Sequence, residues 1–141
     1  MSNILIGTAW WTDKSLIGCG RYYPPSAKSA EDRLKYCAAE LPVAEVDSSY
    51  CAIPNERTAE LWVERTPDEF VFDVKAFLLF TQHQKSPHVL PKAILEAFAP
   101  KKKMIYYRDM LEELLTELWN EFRAALTPLQ RVGKLGVVLC M

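Results

Sequence analysis

Leu41-Pro42-Val43-Ala44-Glu45-Val46-Asp47-Ser48-Ser49-Tyr50 is a short apolar stretch that ends in polar side chains. Val43 and Val46 are β-branched and suit a pleated surface. A strand over residues 43–47 alternates its side chains, so Glu45 and Asp47 point to one face. In an open sheet that face meets solvent. In a closed parallel barrel it is the interior, near the rim of strand C-termini where active sites sit.

The flanking segments favour the parallel arrangement. Asn3-Ile4-Leu5-Ile6-Gly7-Thr8 reads as a continuous apolar strand of a buried sheet. Between it and residue 43, Ser29 or Ser26 caps a helix with Glu31 and Asp32 in its first turn. Leu34, Cys37, Ala38 and Leu41 recur there at helical spacing, and Pro42 ends the helix. After Tyr50, Asn55 is the N-cap of a helix from Thr58 to Glu64 whose buried side is Leu61 and Trp62. Thr66-Pro67-Asp68-Glu69 is turn chemistry. Phe70-Val71-Phe72-Asp73-Val74-Lys75-Ala76 is a third strand, with Phe70, Phe72 and Val74 on one face and Val71, Asp73 and Lys75 on the other. The order β-α-β-α-β implies parallel strands joined by right-handed crossovers.

Further along, Pro91 opens a short helix that runs to Ala99. Asp109 to Leu126 is the clearest helix, with Met110, Leu111, Leu114, Leu115, Leu118, Trp119, Phe122 and Leu126 on a broad apolar face. Lys134 to Met141 reads as a fourth buried strand. Its apolar edge is of the kind proteins usually cover. The long aromatic loop from Ala9 to Pro25 is either a functional lid or packed filler.

At 141 residues, half of them hydrophobic and a quarter charged, the chain is sized for one domain with a globular core. A net charge of −1 gives no general field for nucleic acid or an anionic membrane. No basic leader and no run able to span a bilayer is apparent, which predicts a cytoplasmic protein. Cys19, Cys37, Cys51 and Cys140 lack C-x-x-C spacing and read as buried free thiols rather than a zinc site or a disulfide framework. Lys101-Lys102-Lys103 reads as a solvated loop, with a phosphate-binding patch as the alternative. No dinucleotide fingerprint, Walker loop, zincin helix or nucleophile elbow occurs, so no cofactor is assigned. A metal site would need Glu45, Asp47 and His83 plus further ligands, and none is assigned either.

Several segments together resemble one family. Ile6-Gly7-Thr8-Ala9-Trp10-Trp11-Thr12-Asp13-Lys14, Arg21-Tyr22-Tyr23-Pro24-Pro25, Glu45-Val46-Asp47-Ser48-Ser49-Tyr50, Trp62, and Thr66-Pro67 with 70–76 resemble the YecE-like proteins, which carry domain of unknown function 72. Leu135-Gly136-Val137-Val138-Leu139 looks like that family's fourth strand. The resemblance implies the N-terminal half of a TIM (β/α)8 barrel: four parallel strands in order 1-2-3-4, with helices on the outer face and no second domain in residues 1–141. The family pattern continues past Leu139 into a Pro-Pro turn and four more strands, so the chain reads as a truncated form. Trp10 stands where the family usually has a small residue, Asp47 where asparagine is usual and Cys51 where tyrosine is common.

A parallel barrel gathers strand C-termini at one mouth. That collects Thr8, Trp11, Glu45, Asp47, Ser48, Lys75 and His83. By resemblance Glu45, Ser48, Tyr50, Lys75 and His83 match positions typical of the family. Glu45, Lys75 and His83 are the candidate catalytic groups, because a carboxylate, an amine and an imidazole side by side can tune and exchange protons. Trp11 and Tyr22 offer stacking surfaces, and Asp47, Ser48 and Tyr50 complete the candidate substrate site. The bland readings are a structural Glu45–Lys75 ion pair, an ordinary loop histidine at position 83 and lid packing by Trp11.

Three functions compete. The full-length parent is a hydrolase or isomerase acting on a sugar- or phosphate-bearing compound, or the rim is a non-catalytic module for a nucleotide, nucleic acid or protein. Alternatively this chain is an inactive fragment whose open sheet edges, at the first and fourth strands, drive self-association.

Overall fold

A computed structural model of the chain describes residues 3–99 and 101–141. Its centre is a parallel sheet in the order β1-β2-β3-β4, built from Gly7–Thr8 (β1), Val43–Val46 (β2), Val71–Lys75 (β3) and Leu135–Leu139 (β4). The helices are Lys14–Gly18 (α1), Ala30–Glu40 (α2), Ser48–Cys51 (α3), Glu56–Glu64 (α4), Lys92–Phe98 (α5) and Glu112–Arg131 (α6).

One face of the sheet carries the core. Ala44 and Val46 of β2 and Phe72 and Val74 of β3 are fully buried under the helices. Leu34, Cys37 and Ala38 of α2, Ala59 and Trp62 of α4, and Leu118, Phe122 and Leu129 of α6 cover them. Trp11, Trp62 and Phe70 surround Phe72 with ring centroids at 5.9, 5.9 and 5.0 Å. Each such large side chain removed from water stabilises the fold by about 1.5–3 kcal/mol.

The caps explain where helices begin. Ser29 accepts from the Asp32 amide while Asp32 reaches back to the Ser29 amide, a reciprocal capping box. Asn55 accepts from the Thr58 amide at 2.8 Å, so α4 starts at Glu56, two residues earlier than its apolar spacing suggests. Pro91 is the residue before α5 rather than its first turn, and Ala99 turns left-handed to end it.

Five expectations need correction. The run 3–8 is centred on Ile4-Leu5-Ile6, yet only Gly7–Thr8 pairs with β2, and Ile4 and Ile6 are 87% and 73% exposed. Gly7 permits that pairing, since a Cβ there would fall 1.8 Å from the Val43 carbonyl oxygen. β4 is not buried: Val137 and Val138, on opposite faces of an edge strand, are 53% and 40% exposed. Of the four cysteines only Cys37 is buried, whereas Cys19, Cys51 and Cys140 are exposed. The long helix starts at Glu112 because Asp109 closes a separate 3-10 turn, accepting from the Tyr106 amide at 2.8 Å. It runs through Pro128 to Arg131, leaving Leu111 exposed ahead of it. On α4, Ala59 rather than Leu61 joins Trp62 in the core.

Candidate functional site

The second face of the sheet carries the charge. Register places Glu45 beside Asp73, so Glu45, Asp73 and, two residues on, Lys75 share that face, away from the helices. At the C-terminal end of the strands, Lys75 Nζ lies 2.5 Å from Asp47 Oδ1 and 3.4 Å from Glu45 Oε1. The Asp47 contact is the main reason the Lys75 ammonium titrates above its usual range, against a smaller opposing effect of burial. Lys75 is therefore a fixed cation and not a free base at neutral pH. Asp47 occupies the N-cap position of α3 yet makes no capping bond with its side chain, which turns to Lys75 instead.

The neighbouring serines divide differently from expectation. Ser48 is exposed. Ser49 is fully buried, and its hydroxyl lies 2.6 Å from the Lys75 carbonyl oxygen and 3.1 Å from that of Val46, a donor shared between two strands. Ser49 thus ties α3 to the ends of β2 and β3 and fixes the backbone from which Lys75 projects. A one-residue difference in phase along 47–50 hid this from periodicity.

His83 arrives from the turn after β3. Leu78–Thr81 forms a 3-10 turn, Gln82 is left-handed at φ 66°, and His83 follows. Thr81 Oγ1 donates to the Leu78 carbonyl at 2.9 Å and lies 2.8 Å from His83 Nδ1. With its proton committed to Leu78, the Thr81 oxygen is the acceptor. In the neutral form of the ring, that assignment puts the proton on Nδ1 and makes Nε2 the acceptor. The His83 ring meets Tyr50 edge to face at 5.8 Å, and Lys75 Nζ sits 6.0 Å from the centre of the Tyr50 ring. Tyr50, Lys75, His83, Leu139 and Met141 line an open cavity of about 370 Å³.

Glu45, Asp47, Tyr50, Lys75 and His83 are therefore one cluster. The two stacking candidates are not part of it. Trp11 is 3% exposed, its ring engaged by Trp10 at 3.9 Å, Trp62 at 5.7 Å and Phe72 at 5.9 Å, so it is core and not an open platform. Tyr22 packs on Tyr23 and Tyr36 at 4.7 and 5.5 Å beside Cys37 of α2, in the helix layer. Burial pushes the Tyr22 and Tyr23 phenols up, Tyr23 to about 12.

Sequence reasoning passed over Asp73. Its Oδ1 accepts from the Val137 amide at 2.9 Å, next to the register shift between β3 and β4. Gly136 makes room for this, since a Cβ there would lie 2.1 Å from Asp73 Oδ1. The signal was present in the alternation of 70–76, but the partner lies 64 residues away. Among the described residues, no three metal-ligating side chains converge, and no helix is long and apolar enough to cross a membrane.

Comparison with known proteins accords with this geometry. Residues 5–141 match the family described as "Protein of unknown function DUF72". The UPF0759 protein YunF of Bacillus subtilis (strain 168) is 32% identical over 136 residues, covering 96% of this chain and 38% of that protein. Two crystal structures of a DUF72 family protein from Enterococcus faecalis V583 superpose with TM-scores of 0.53 and 0.57, at 21% and 22% identity. They cover 80% and 95% of this chain and 36% and 37% of theirs. The chain thus spans well under half the length of these relatives, as a half barrel does.

Proposed function

The chain belongs to the DUF72 family of proteins of unknown function, and on that footing we propose that its strand ends form part of a small-molecule site for proton-transfer chemistry on a neutral, hydroxyl-rich compound such as a sugar. The observation that carries this reading is a cavity at the C-terminal rim lined by Tyr50, Lys75 and His83, with Glu45 and Asp47 paired to the Lys75 ammonium beside it. In the whole protein the activity is that of a hydrolase or an isomerase.

The roles follow from the surroundings of each group. Lys75, held cationic by two carboxylates, suits the stabilisation of a developing oxyanion rather than proton abstraction. His83, with Nε2 open, is the better base. Glu45 and Asp47 accept from substrate hydroxyls or position Lys75, and Tyr50 offers an aromatic wall. Glu45, Asp47 and Asp73 outnumber Lys75 on this face, which favours a neutral polyol here over a phosphate.

The test is a titration of the isotope-labelled chain with neutral aldoses and ketoses, followed by NMR. Saturable shifts at Tyr50, Lys75 and His83 are expected, with affinity weakened about tenfold or more in Lys75→Met, as befits loss of a hydrogen bond to a charged group. Equal affinity in that variant, or no sugar that moves these residues, sinks the reading. Where a sugar binds, exchange of its carbon-bound proton for solvent deuterium separates chemistry from simple binding.

A further inference from the structure

Another cavity lies outside this cluster, on the segment between β3 and α6. Its volume is about 770 Å³, within the ~300–1,000 Å³ typical of small-molecule sites. Lys101, Lys102 and Lys103 line it together with Ser86, His88 and Leu95 of α5. Among the described residues no acidic side chain lines it. In a chain of net charge −1 this is a local concentration of positive charge and not part of a general field.

The walls are pinned at their base. Lys85 and Ile105 exchange main-chain hydrogen bonds at 2.9 and 2.8 Å, clamping the two arms of the segment together, and Ile105 is fully buried beneath them. Pro87 is buried, and Ser86 Oγ accepts from the His88 amide at 3.4 Å, which leaves the hydroxyl proton available. Lys102 is directed by Asp109, whose Oδ1 lies 2.9 Å from its ammonium. Lys101 and Lys103 form no ion pair among the described residues. Two uncommitted ammonium groups, a hydroxyl donor and an imidazole therefore face one hollow, and like charges so close repel unless an anion joins them. A second hollow of about 300 Å³ shares Lys101 and Lys102 and reaches Phe98 and Ile105, giving an apolar neighbour to the charge.

We propose that this lysine-lined hollow binds the phosphate group of a small phosphorylated molecule, with Lys101 and Lys103 as the principal cations and Ser86 and His88 as auxiliary donors. The site is independent of the strand-end cluster, which uses none of these side chains. The organic part of the ligand rests against Leu95 and the adjoining apolar hollow.

The probe is inorganic pyrophosphate, titrated into the labelled chain with ionic strength held constant by sodium chloride. Saturable shifts at 86–88 and 101–103 are expected, with millimolar or tighter affinity. The Lys101→Gln/Lys103→Gln double variant should bind at least about tenfold more weakly while melting like the parent, and the corresponding double arginine variant should retain binding. Lys75→Met should bind pyrophosphate as the parent does. Shifts that never saturate, that persist in the glutamine variant, or that vanish in Lys75→Met overturn the assignment. A short single-stranded DNA that binds more tightly than pyrophosphate, with a steep salt dependence, reassigns the surface to a nucleic-acid backbone and overturns it too.

Discussion

Lys75 and Lys134 lie at opposite ends of the β3–β4 pair and are held in opposite ways. Lys75, at the C-terminal end, keeps 26% of its side chain exposed and pairs with carboxylates beside a cavity. Lys134, just before β4, is 2% exposed and meets only neutral oxygens. Its ammonium donates to the Thr66 carbonyl at 3.0 Å, to Thr66 Oγ1 at 2.8 Å and to the Pro67 carbonyl. Burial lowers its titration range, with Asp68 and Glu69 opposing at longer reach. One lysine is a staple between the turn after α4 and the entry to β4. The other is a charge presented at the rim. Parallel barrels divide their two ends in this way, stability at the N-terminal face and chemistry at the C-terminal face.

Removing the staple should have the larger effect on folding. Lys134→Met leaves buried carbonyls without a donor and should cost about 3 kcal/mol in urea denaturation, since each orphaned acceptor costs roughly 1–3 kcal/mol. A loss under about 1 kcal/mol would show that water replaces the ammonium freely. Ser49→Ala should come next, at about 1–2 kcal/mol, because its buried hydroxyl serves two strand carbonyls. It should also disturb the Lys75 resonances, which a purely local loss would not. Lys75→Met should change stability least, by about 1 kcal/mol or less, as partly exposed ion pairs do, while weakening sugar binding about tenfold or more.

Alkaline titration sharpens the contrast. The folded Lys134 titrates below its unfolded value of 10.5, so the unfolded chain holds more protons just under that pH, and stability should rise as pH climbs towards it. The folded Lys75 titrates above 10.5, so its contribution is present below that pH and lost as pH rises through its folded value. Tyr22 and Tyr23, also raised, add to the loss above about pH 10. Comparing each lysine-to-methionine variant with the parent cancels the tyrosines. The difference curves should slope in opposite directions on either side of 10.5. Curves of the same sign would mean that the two environments are not distinct.

Much of this was legible in the residues. The alternation in 43–47 and 70–76 placed Glu45 and Lys75 on one face, and the βα rhythm implied the parallel order. What escaped depended on neighbours that a single segment does not announce. Ile4-Leu5-Ile6 has the composition of a central strand, but β1 is an edge strand whose pairing with β2 extends only over Gly7–Thr8. Val137 and Val138 carry the composition of burial without a cover. The aromatic loop had two readings, a ligand platform or packing, and Trp11 packs edge to face against Trp62 and Phe72. Lys134 looked like the start of a strand, because nothing near it in the chain reveals that Thr66 waits 68 residues earlier.

Val137 and Val138, open beside the last strand edge among the described residues, predict a melting temperature that depends on protein concentration. Any strand that docks there binds the folded chain and not the unfolded one, so mass action raises the melting temperature with concentration. A lysine at position 138 should flatten that dependence while leaving the melting point in dilute solution nearly unchanged.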